Sequence, residues 1–122
     1  MGFYVNGSNF GVSLVERWNG TNWKVQSTPN PAGAMITILF GVSCTSATAC
    51  AATGRVQGNG EQFPVAERWD GASWTLESPA PPPGSMRSSL DGVACTSAKA
   101  CEAVGFYEDA SGDGFTLAEV SS

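Results

Sequence analysis

Histidine is absent from this 122-residue chain, and basic residues are scarce: six Lys and Arg stand against eleven Asp and Glu, for a net charge of −5. The first absence removes the commonest general base and the imidazole ligand of zinc, so Ser-His-Asp and Cys-His catalysis have no candidate residues. The second argues against nucleic acid, whose phosphates call for clustered cations. No apolar run reaches the ~18 residues of a membrane-spanning helix. Phosphate-cradling and dinucleotide-binding glycine patterns are also missing. The start, Met1-Gly2-Phe3-Tyr4-Val5-Asn6, has neither the basic residues nor the apolar stretch of a signal peptide. Nowhere do apolar residues recur with helical spacing. No catalytic residue, cofactor or membrane association is therefore expected.

What remains is a composition for short strands and tight turns: 42% hydrophobic residues, only 14% charged ones, 15 Gly and 7 Pro. Those strands repeat. Glu16-Arg17-Trp18-Asn19-Gly20-Thr21-Asn22-Trp23 returns as Glu67-Arg68-Trp69-Asp70-Gly71-Ala72-Ser73-Trp74, a spacing of 68 − 17 = 51. Gly41-Val42-Ser43-Cys44 through Cys50 returns as Gly92 through Cys101 at the same interval. A fixed period of this size means stacked supersecondary units, and 122 residues hold about 2.4 of them.

Residues 34–84 form the one complete unit. Ile36 to Cys44 is β-branched and apolar, Thr45 to Ala49 reads as a small-residue turn, and Cys50 to Val56 returns. A Gly-rich loop, Gln57 to Gln62, leads to Phe63–Trp69, the Asp70-Gly71 turn, and Trp74 to Ser78. The Pro-rich stretch Pro79 to Gly84 cannot sit inside a sheet and reads as the crossing to the next unit. Four short antiparallel strands per 51 residues predict an all-β, β-propeller-like array of four-stranded blades, with too few blades in one chain to close a ring. Residues 1–33 supply second, third and fourth strands, and 85–122 supply first, second and third. Half-units that complement one another predict head-to-tail self-assembly into a homo-oligomer, ring or fibre.

The four cysteines form two C-x5-C pairs, Cys44/Cys50 and Cys95/Cys101. Zinc sites favour closer spacing and often His, so disulfides across each hairpin are the expectation, and with them an oxidising compartment. Asp109-Ala110-Ser111-Gly112-Asp113-Gly114 matches the first half of a calcium loop, but Val120 stands at the twelfth position, so a turn and no metal is expected.

Two readings compete for the repeated hairpins. Trp18/Trp23 and Trp69/Trp74 can clasp each hairpin and pack on the next unit. Alternatively, they form a carbohydrate platform, the indoles stacking on sugar rings while Arg17, Asn19, Arg68 and Asp70 hydrogen-bond hydroxyls. Glu16 and Glu67 point away from the adjacent Arg17 and Arg68 along a strand, Glu119 holds the same motif position, and pairing of Glu with Arg between units is the expected structural role.

The Glu-Arg-Trp-Asn-Gly-Thr-Asn-Trp segment, the Ser27-Thr28-Pro29-Asn30-Pro31-Ala32-Gly33-Ala34 crossing and the Gly-Val-Ser-Cys segment ending at Cys50 resemble the roughly 50-residue tandem repeats of exported actinobacterial proteins. That resemblance spans nearly the whole chain. It implies a β-propeller-like array outside the cytoplasm and implies no activity. Val120-Ser121-Ser122 departs from the pattern where Arg-Trp-Asn/Asp belongs.

Overall fold

The structure, a computed structural model, describes every residue except Asn59, Ser78, Ala80 and Ser122, and omits the side chain of Ser121. Over the described residues the chain is all-β, with ten strands in a single open sheet. They group into three antiparallel runs. The first joins β1 (Gly2–Val5), β2 (Gly11–Trp18) and β3 (Trp23–Gln26). The second joins β4 (Ile36–Ser46), β5 (Ala49–Gly58), β6 (Glu61–Trp69) and β7 (Trp74–Glu77). The third joins β8 (Ser85–Ser97), β9 (Ala100–Asp109) and β10 (Gly114–Ser121). Parallel contacts at Gly11/Ile36 and Gln62/Arg87 link one run to the next.

Strands extend further than the turn residues imply. β4 and β5 run to within two residues of each other, so the expected turn over Thr45 to Ala49 shrinks to Ala47 and Thr48. The expected Gly-rich loop tightens in the same way, its strands continuing through Gly58 and resuming at Glu61. Backbone pairing to hairpin partners outweighs the weak strand preference of Gly and Ala. Asn59, Ser78 and Ala80, assigned by sequence to the loop, the fourth strand and the crossing, lie outside the described residues.

The sheet doubles back on itself. Although β5 and β6 separate β4 from β8 in the sheet order, the Ser43 hydroxyl accepts the Cys95 amide at 3.0 Å. At Gly41 the absence of a Cβ eases this close approach of β4, since an added methyl would lie 3.2 Å from the Asp91 carbonyl oxygen. Between the first and second runs, Val15, Leu39, Cys50, Ala52, Val65 and Trp74 form a buried cluster, with Trp69 and Leu76 packed against it.

Both cysteine pairs are disulfides, Cys44–Cys50 and Cys95–Cys101, each joining directly opposed residues of one hairpin. They fit an oxidising, extracellular setting. Among the described residues no helix is long and apolar enough to cross a membrane. Each bond closes a seven-residue loop, so its chain-entropy contribution is about 2 kcal/mol. Replacing Cys95 and Cys101 together by Ser is therefore expected to lower the unfolding free energy by that amount in urea titrations. An unchanged midpoint and slope would show the bond to be energetically silent.

Candidate functional site

The residues singled out by the repeated hairpin motif lie in two structural settings. At the β6–β7 hairpin, Trp69 and Trp74 sit directly opposite, ring centroids 5.8 Å apart and inclined 42°. Asp70 makes the connecting turn. Its Oδ1 accepts the amides of Ala72 and Ser73 at 2.8 and 2.9 Å, and Gly71 adopts φ +99°. The Ser73 and Ala72 amides hold the Asp70 carboxyl below its ordinary pKa. The β2–β3 hairpin repeats the arrangement. Asn19 Oδ1 accepts from Thr21 and Asn22 at 2.9 Å each, Gly20 has φ +96°, and the Trp18 and Trp23 centroids are 5.6 Å apart. Asn19 and Asp70 are thus committed to their own turns.

The surroundings separate the two hairpins. Trp74 is 6% exposed, and its indole N–H donates to Gln26 Oε1 at 3.0 Å. Trp69 donates to the Ala47 carbonyl at 3.1 Å, while the Arg17 guanidinium lies 5.0 Å from its ring centroid. Trp18 and Trp23 are 51% and 64% exposed. Among the described residues, no strand covers them as β2 and β3 cover Trp69 and Trp74.

The arginines act as clasps. Arg17 reaches forward to the Ala47 carbonyl, at the turn of the β4–β5 hairpin, at 3.4 Å. Arg68 reaches the Ala98 carbonyl, at the turn of the β8–β9 hairpin, at 2.7 Å, and its Nε pairs with Glu77 at 2.9 Å. Arg17, Trp18 and Trp23 border one cavity of about 350 Å³ together with Trp74 of the buried cluster, whereas Arg68, Trp69 and Asp70 border another of about 280 Å³ beside the disulfide hairpins.

Glutamates behave differently from the expected inter-unit ion pairs. Glu67 is fully buried with neither carboxylate oxygen hydrogen-bonded, and desolvation raises its pKa from 4.5 to about 7. Glu119 Oε2 is also buried and unpartnered, and desolvation raises that carboxyl too. Glu16, in the same motif position, is exposed. A charged residue inside an apolar strand was the only sequence signal for Glu67, and three copies of the motif carry that signal with three different burials.

Among the described residues no three Asp, Glu, Cys or His side chains gather as a metal set. Asp109 Oδ1 instead accepts the Ser111 and Asp113 amides of its own turn. Comparisons with protein-family models, curated proteins and solved structures found no match.

Proposed function

We propose that the chain is a non-catalytic, extracellular β-repeat module whose units stack as propeller-like blades and whose copies join head to tail. The observation that carries the reading is the contrast between equivalent surfaces. Trp74 is buried against the preceding run, while Trp23, its counterpart 51 residues earlier, is 64% exposed. At the other end the contrast recurs: Thr53 is buried, and Val104, 51 residues later, is exposed. One molecule therefore offers both halves of a contact that its interior already makes, which is the condition for heterologous association. Burying such faces also removes apolar area from water at roughly 25 cal/mol per Å². The disulfides and the resemblance to repeats of exported proteins support an extracellular setting.

Light scattering on a sizing column without reductant tests the proposal. The expected result is a discrete multiple of the chain mass for a closed ring, or a broad, very heavy distribution for an open fibre, with Trp18→Ala plus Trp23→Ala returning either one to monomer. A wild-type protein that elutes as a clean monomer would overturn it.

A carbohydrate-binding role is the second reading, favoured by the exposure of Trp18 and Trp23 alone. Arg68, Trp69, Asp70 and Trp74 are occupied by structural contacts and drop out of that platform. Glycan-array binding lost on Trp18→Ala plus Trp23→Ala in a folded protein would support it.

A further inference from the structure

Between the second and third runs lies a cavity of about 280 Å³, bordered by Ala51, Ala66 and Glu77 on one side and Leu90, Ala103 and Glu119 on the other. Its lining is mostly apolar, yet it contains the buried, unpartnered Glu119 Oε2. Along one flank runs β10, which pairs with β9 and, among the described residues, has no partner at its outer edge. The corresponding strands β2 and β6 each carry a further strand, β3 and β7.

We propose that this groove binds an extended polypeptide strand carrying tryptophan, with an aliphatic residue two positions later. The packed contact between the first and second runs is the template, and the groove continues it. There Leu76 lies opposite Glu67 and Trp74 opposite Trp69, and the Trp74 indole is seated over the preceding run, donating to Gln26 Oε1. Gln26 is the last residue of β3, and Glu77, the last residue of β7, borders the open cavity. Shifted onto β10, the same register sets the aliphatic residue opposite Glu119, as Leu76 lies opposite Glu67. Its indole enters the cavity with its N–H directed at the Glu77 carboxylate, a charged acceptor where Gln26 is a neutral one, and one whose Oε1 Arg68 Nε already holds at 2.9 Å, leaving Oε2 for the indole. Backbone pairing along β10 supplies affinity, and the indole pocket supplies selectivity, as in strand addition generally.

The probe is a fluorescein-labelled peptide Ala-Ser-Trp-Thr-Leu-Glu, the sequence of residues 72–77, titrated into the full chain and followed by anisotropy. Saturable binding is expected, weakened at least tenfold when the peptide tryptophan is replaced by alanine. On the protein side, Glu77→Ala should weaken binding several-fold, whereas Glu77→Gln, which restores the acceptor found at Gln26, should retain most of it. No binding by the wild type up to about 1 mM peptide, or equal binding of the tryptophan and alanine peptides, would overturn the inference. The peptide pair tests it without altering the protein, so a destabilised Glu77 variant cannot obscure the result. Because the readout is peptide capture, it is separable from the assembly proposal: a monomer that captures the peptide retains this inference and overturns the other.

Discussion

At pH 8 the Glu67→Gln protein is expected to be more stable than the wild type by up to about 3 kcal/mol, an advantage that disappears below pH 5. Glu67 is fully buried, and no hydrogen bond compensates either oxygen. Burial raises its pKa from 4.5 to about 7, so between those values the folded chain holds a proton that the unfolded chain has released. The stabilisation linked to that proton is complete below about pH 4.5 and is lost as pH rises through 7. Glu119, raised by the same cause, adds to the trend in the same direction. Urea titrations of both proteins from pH 5 to 8 check this. A wild-type stability that is flat or climbs across that range would refute it.

The second large effect concerns two glycines that face bulges. β4 pairs Leu39 with Gly54 and then Gly41 with Thr53, leaving Phe40 as the extra residue. In the β8–β9 pair Asp91 is the extra residue, next to Gly105. At Gly54 an added Cβ would be driven into the Ile38 carbonyl oxygen, and at Gly105 into that of Ser89. These obstacles are backbone, which cannot swing aside as a flexible side chain does. Gly54→Ala and Gly105→Ala are each expected to cost roughly 3 kcal/mol or more, enough to unfold much of a marginally stable domain. Gly114→Ala is the control, because nothing lies within 4 Å of its added Cβ, and its stability should change by less than about 0.5 kcal/mol. Circular dichroism and thermal melts of the three variants separate the cases. A Gly54→Ala protein that melts like the wild type would show that the bulge relaxes freely.

The strands, the Asp70-Gly71 and Asn19-Gly20 turns and the cysteine pairing were legible because each is local. Alternating β-branched residues, turn formers and cysteines six residues apart carry their own instructions. The bulges at Phe40 and Asp91 were not, since a register shift depends on how a partner strand crosses, and Gly54 gains its meaning only opposite Phe40. The site was half legible. Both tryptophan hairpins could be found, but nearly the same eight-residue motif yields an exposed Trp18/Trp23 pair and a Trp74 sealed in the core. The deciding factor is whether another run lies across it. The same applies to Glu16 and Glu67, one in water and one desolvated.

The forward reach of the arginines gives the chain a polarity of coupling. Arg17 holds the turn carbonyl at Ala47 and Arg68 the one at Ala98, so each run steadies the cystine hairpin that follows it in sequence. Most pairing, moreover, is between strands adjacent along the chain, and the entropy of closing loops stays small. Order therefore spreads from neighbour to neighbour, and a local opening remains local until it releases the guanidinium that bridges to the next hairpin. Such a molecule is expected to fray one run at a time, and the two cystines keep the ends of their hairpin strands together even then.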